Sequence, residues 1–148
     1  MTETMDNFNQ PKVSLVTPIF NGIDDTVGYL NSLSKITYPN YEIVIVDDGS
    51  TDDTPEILAS YGKQFYWESH QNMGQSATLN KGWQMSKGEI ISYLSADDAL
   101  EPNAVEMAVR CLQEHDDSVL VYGDYELVDA ESNVIKRVFA PEFNYSEM

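Results

Sequence analysis

The feature that most constrains the fold is an alternation. Short β-branched apolar runs are separated by stretches whose apolar residues recur at helical spacing. Ile43 to Val46 is apolar at every position, so both of its faces must be covered. A parallel sheet with helices packed on it provides that cover. Strands are expected at Val13–Thr17, Ile43–Val46, Phe65–Trp67 and Ile90–Leu94. Helices are expected at Asp24–Ile36, Thr54–Tyr61, Ser76–Met85 and Pro102–Glu114. Within them Val27, Leu30 and Leu33, then Leu79, Gly82 and Trp83, then Val105, Ala108, Val109 and Leu112 mark the packing stripes. Pro55 and Pro102 fall near first turns, where a missing N–H costs nothing. The pattern changes at the end: Val119–Val128 and Val134–Phe139 flank a polar turn, Asp129–Asn133, and read as an antiparallel hairpin. The fold class is therefore α/β, Rossmann-like: a mainly parallel sheet flanked by helices, with an antiparallel hairpin near the C-terminus.

Length and charge remove several function classes. A chain of 148 residues fits one domain. Residues 1–11 read as a disordered lead and 12–148 as the domain. A net charge of −17 opposes a nucleic-acid partner, whose phosphates need a basic face, and an electrostatic hold on anionic lipid. No apolar stretch reaches the roughly 18 residues of a transmembrane segment. With one cysteine, Cys111, and no signal-peptide pattern, the expected setting is cytoplasmic, with peripheral attachment at the inner membrane face left open. So acidic a chain can hold a phosphorylated ligand if a divalent cation stands between carboxylates and phosphates.

Five adjacent aspartate pairs occur: Asp24-Asp25, Asp47-Asp48, Asp52-Asp53, Asp97-Asp98 and Asp116-Asp117. The first and third open helices, where carboxylates cap amides and suit the dipole, and the last lies in a turn. The other two directly follow buried-type strands. Right-handed crossovers bring the carboxyl ends of parallel strands to one edge, where ligands bind. Two acidic pairs there repel unless a sugar hydroxyl, a base amide or a metal ion lies between them; Asx-type turns are the structural alternative. Two loops join this edge. In Thr17-Pro18-Ile19-Phe20-Asn21-Gly22, Phe20 is placed to stack on a planar base, or simply to pack. Asn72-Met73-Gly74-Gln75-Ser76 runs into a helix whose N-terminus favours an anion, or merely a cap. His70 and His115 read as surface and helix-end histidines.

Four segments taken in order resemble the inverting family 2 glycosyltransferases of the GT-A fold. They are Val13 to Asn21, Glu42 to Asp52 with its Asp47-Asp48-Gly49-Ser50, Asn72-Met73-Gly74 through Asn80-Lys81-Gly82, and Gly88 through Ser95-Ala96-Asp97-Asp98. The resemblance implies transfer of a sugar from a nucleoside-diphosphate sugar, UDP-linked, to an acceptor that is a saccharide, a lipid-linked sugar or a protein. It implies a nucleotide site formed by Thr17, Pro18, Phe20, Asn21, Asp48, Asn72, Gly74, Asn80 and Asp97. It further implies that Asp98, in the family's DxD-type motif, binds Mn²⁺ or Mg²⁺. Two departures stand out. Leu79 occupies the place where many relatives carry an arginine before the asparagine that is Asn80 here. Glu142 and Glu147 are carboxylates outside any recognisable base motif, so the expectation is a domain cut before the acceptor region and without its catalytic base. The alternative to an enzyme is a donor-binding or assembly module that does not turn over by itself, and a homo-oligomer is allowed. A pyrophosphorylase would need a basic Gly-rich loop after the first strand, and a receiver domain would need its acidic pair there; neither is found.

Overall fold

A computed structural model describes residues 9–115 and 117–141. The chain divides into two compact units, one ending at Glu106 and one beginning at Met107.

The first unit holds a four-stranded sheet of β1 (Val13–Ile19), β2 (Tyr41–Asp47), β3 (Tyr66–Ser69) and β4 (Ile90–Tyr93), in the order β3-β2-β1-β4. Every pairing in it is parallel. Helices α1 (Ile23–Leu33), α2 (Thr54–Ser60) and α3 (Gln75–Met85) lie between successive strands. The apolar runs are central because they are apolar on both faces: Val13, Leu15, Val16, Val44, Ile45 and Val46 are all buried. Strand residues alternate faces. On one face Thr17 bonds Tyr29 of α1, and on the other Val16 packs beneath Gly82 of α3, so helices cover both. A methyl at Gly82 would run into Val16 Cγ1 and lie 3.3 Å from Val46 Cγ2. Only glycine lets this helix sit so low on the sheet. Pro18 is tolerated in β1 because β4 pairs only with Val13–Val16, leaving β2 alone beside Pro18.

Several boundaries shift from the sequence reading, for local reasons. Gln10 and Pro11 belong to the fold rather than to a lead: their carbonyls accept from Asn40 Nδ2 (2.8 Å) and Tyr38 Oη (2.6 Å). Helix α1 stops at Leu33, after which Lys35 and Ile36 bond three residues back. On α3 the buried positions are Thr78 and Gly82, while Trp83 is 43% exposed. Thr78 hides because its hydroxyl donates to the Gly74 carbonyl (3.1 Å), one turn back.

The second unit contains all but the first turn of α4 (Ala104–Glu114) and a two-stranded antiparallel ribbon, β5 (Tyr125–Val128) with β6 (Val134–Val138). Pro102 precedes α4, so it is not in the first turn. The Asp129–Asn133 turn is confirmed: the Asp129 carboxylate accepts the N–H groups of Glu131 and Asn133. The strand expected from Val119 is shorter. Val119 and Leu120 are 97% and 70% exposed and unpaired, because β propensity without a neighbouring strand leaves backbone groups unbonded. Among the described residues, no helix is long and apolar enough to cross a membrane.

Candidate functional site

Parallel register sets the site. Ile19 pairs with Asp47 and Asp47 with Ser69, so the loops after β1, β2 and β3 leave the sheet side by side; the loop after β4 leaves from the same edge. The first two loops are braced together. Asn21 N–H donates to Ser50 Oγ (2.7 Å), Thr51 N–H donates to Asn21 Oδ1 (2.8 Å), and Gly22 N–H donates to Asp52 Oδ2 (3.0 Å). Asn21 adopts a left-handed backbone, φ 57°, which its type tolerates better than most. Asp52 also accepts the Thr54 N–H (3.1 Å) at the start of α2, while Asp53, the N-cap residue, makes no side-chain cap bond, so of this pair only Asp52 serves the helix start through its carboxylate.

The Asp47-Asp48 pair is buried, and each carboxylate accepts two hydrogen bonds. Asp47 accepts Ser50 N–H at 3.0 Å and Ser69 Oγ–H at 2.6 Å. Asp48, only 4% exposed, accepts Met73 N–H at 2.8 Å and Gly74 N–H at 3.0 Å. Its first task is thus to seat the turn that starts α3. Burial pushes the Asp48 carboxyl up. Hydrogen bonds from Met73 and Gly74, with Thr78 and His70 close by, outweigh burial and leave it below the ordinary carboxylate range. Gly49 makes the crossing possible. Its φ is +79°, and a Cβ there would stand 2.8 Å from Asn72 N and 2.9 Å from His70 O.

Asp97 and Asp98 are the opposite case. Both are exposed in the turn after β4, where Asp98 N–H donates to the Ser95 carbonyl at 3.2 Å. Burial, and then the charge of Asp97, raise the Asp98 carboxyl. Two adjacent carboxylates whose repulsion is uncompensated are suitable hard-oxygen donors for a divalent cation. Among the described residues no group of three or more His, Cys, Asp or Glu gathers to cage an ion. An ion at Asp98 would take its remaining ligands from phosphate or water.

The other expected residues divide. Phe20 is 54% exposed beside the braced loops. Pro18 is half-buried. Asn72, Gly74 and Asn80 are exposed, and Gly74 (φ 84°, ψ 156°) caps α3. Thr17 has its side chain fully buried, with its hydroxyl 2.5 Å from Tyr29 Oη. His70 is a correction: its side chain is 10% exposed, beside Asp48, because β3 ends beneath the turn into α3. Glu142 and Glu147 lie outside the described residues. A concavity of about 540 Å³ sits at the other end of β2 and β3, lined by Tyr41, Lys63 and Trp67 among others. It contains none of the loops above.

Residues 14–144 match the family described as Glycosyl transferase family 2. An uncharacterized glycosyltransferase of Rickettsia prowazekii is 37% identical over 142 residues, which are 95% of this chain and 44% of that protein. The glycosyltransferase GlyG of Streptococcus pneumoniae is 30% identical over 140 residues, 92% of this chain and 46% of that one. The chain thus spans under half the length of these relatives. Among solved structures, a mannosyltransferase from Pyrobaculum calidifontis in complex with GDP-Man and Mn²⁺ is similar with a TM-score of 0.65, at 25% identity, over 81% of this chain and 36% of that one. S. aureus TarS 1–349 in complex with UDP-GlcNAc gives 0.62 at 28% identity, over 71% and 32%.

Proposed function

The chain belongs to glycosyltransferase family 2, and on that premise we propose that its carboxyl-edge loops form the donor site of a metal-dependent, inverting glycosyltransferase. The observation that carries this reading is the contrast at one sheet edge. One acidic pair is buried and spent on building the site, and the other is exposed and uncompensated. Phe20 lies against one face of the base, and Asp48, at the rim of its buried carboxylate, accepts a base N–H. Asn72, Gly74 and Asn80 line the approach of the diphosphate to the start of α3. Asp97 meets the ribose or sugar, and Asp98 holds Mn²⁺ or Mg²⁺. When bound, such an ion supplies Lewis-acid stabilisation of the departing nucleoside diphosphate.

The donor is UDP-linked in this proposal. The solved relatives include one bound to UDP-GlcNAc and one bound to GDP-Man, so the base is the point to test. The acceptor is a saccharide, a lipid-linked sugar or a protein, and the reaction is cytoplasmic. For residues 1–148 in isolation we expect donor binding with at most slow hydrolysis. Asp47, Asp48 and Asp52 are committed to backbone and hydroxyl donors, which leaves them poor bases for an acceptor. Exposed Val119, Leu120, Ile135 and Phe139 support self-association. A thermal-shift panel of UDP, GDP, CDP and TDP, each with and without Mn²⁺, tests the donor assignment. Stabilisation greatest with UDP plus Mn²⁺ is the expected result; no shift with any of the four would overturn it.

A further inference from the structure

We infer that His70 is a positioning residue of the donor site: it holds Asp48 and the Met73-Gly74 turn as one unit. This rests on the reading of Asp48 as the base-binding group. The geometry is closed on three sides. His70 Nδ1 lies 2.7 Å from the Gln71 carbonyl oxygen, and a carbonyl only accepts, so Nδ1 carries a proton and donates. The same nitrogen stands 3.6 Å from Asp48 Oδ1, too far for a hydrogen bond but close enough to wall that side of the carboxylate. On the far side of the ring, Nε2 is 3.5 Å from Thr78 Oγ1, which is itself 3.1 Å from the Gly74 carbonyl. The His70 backbone N–H donates to the Asp47 carbonyl at 3.1 Å, which fixes the ring's origin to the sheet.

One imidazole therefore touches both ends of the turn whose two N–H groups fill Asp48. Asp48 is only 4% exposed, so the lone pairs left for a ligand depend on where Met73 and Gly74 stand. Loosening the turn misdirects the carboxylate without touching Asp98 or the first turn of α1. Removing His70 is thus expected to weaken recognition of the base most, and to weaken recognition of the diphosphate less, because Gly74 shifts with the turn while Asp98 is untouched.

The test is titration of UDP and of inorganic pyrophosphate, each with Mn²⁺, into wild type, His70→Ala, His70→Asn, Asp48→Ala and the double variant His70→Ala/Asp48→Ala. His70→Ala should weaken UDP binding about fivefold, the order of one hydrogen bond, and weaken pyrophosphate distinctly less. His70→Asn, whose carboxamide N–H takes the place of Nδ1–H, should recover most of the loss. In the double variant the two changes should not add, because they act on one contact. A loss in His70→Ala that is equal for UDP and pyrophosphate, unrescued by asparagine, or additive with Asp48→Ala would overturn the proposal. If Asp48→Ala itself leaves UDP binding unchanged, the base assignment fails instead. Amide exchange then decides the positioning role separately: Met73 and Gly74 N–H should exchange faster in His70→Ala and recover in His70→Asn, and unchanged exchange refutes it.

Discussion

The Thr17 side chain serves the core. Its hydroxyl and that of Tyr29 satisfy each other, and burial, only partly offset by the Thr17 bond, pushes the Tyr29 phenol up to about 12. Thr17→Val would leave the Tyr29 hydroxyl unpaired at a cost of about 1–3 kcal/mol. Urea unfolding should show that loss, while donor affinity stays within error of wild type. Gly49 is the counterpart at the edge. Alanine there combines a left-handed backbone with contacts under 3.0 Å to Asn72 N and His70 O, both backbone atoms that cannot swing away. The strained conformation alone costs about 1 kcal/mol. We expect Gly49→Ala to lose at least that much stability and to weaken the donor as well, since the clash lies under the Asp48 turn. A variant as stable as wild type would show that the turn moves freely.

At the scale of elements, α3 sets two effects against each other. Gly→Ala in a helix ordinarily gains about 0.5–1 kcal/mol. At Gly82 the new methyl meets Val16 and Val46, and overpacking a tight site costs about 1–3 kcal/mol. The second effect should win, so Gly82→Ala lowers the melting temperature, whereas Ala at exposed Gln84 should not. This helix also marks where the sequence was legible. Strand β2 could be read because Ile43–Val46 is apolar whichever face it presents, and β1 and β4 because Val13–Thr17 and Ile90–Leu94 are short runs dominated by apolar and β-branched residues. Of the stripe Leu79-Gly82-Trp83, Gly82 is buried as expected and Trp83 is not; Thr78 escapes the reading because threonine counts as polar until its hydroxyl finds the Gly74 carbonyl. The position of both acidic pairs at strand ends was readable from local pattern. That Asp47 and Asp48 spend themselves on Ser69, Met73 and Gly74 was not, since those partners lie more than twenty residues away along the chain.

For the whole molecule, charge is the governing quantity. Among the 25 acidic side chains, Asp48 and Glu42 are two whose hydrogen bonds at the sheet hold them below the ordinary carboxylate range. Burial raises Glu42, and bonds from Lys12 and Ser14 more than reverse it, leaving it lowered like Asp48. A carboxyl lowered in the folded state contributes stability that is present above its unfolded value, near 4, and is lost as pH falls through the folded one. Stability should therefore drop on acidification below about pH 4. Asp48→Asn should be less stable at neutral pH and show a shallower acid limb; an unchanged limb would mean that Asp48 gains nothing from its amides.

The central claim is that a divalent ion joins the exposed acidic pair to a nucleoside diphosphate. Calorimetric titration of UDP into wild type and Asp98→Asn, each in Mn²⁺ and in EDTA, tests it most directly. The account predicts that wild type binds in Mn²⁺ and weakens by about tenfold or more in EDTA, the weight of a lost charge-assisted contact. It also predicts that Asp98→Asn binds weakly in both. Equal affinity in Mn²⁺ and EDTA, or an Asp98→Asn variant with full metal dependence, would contradict it.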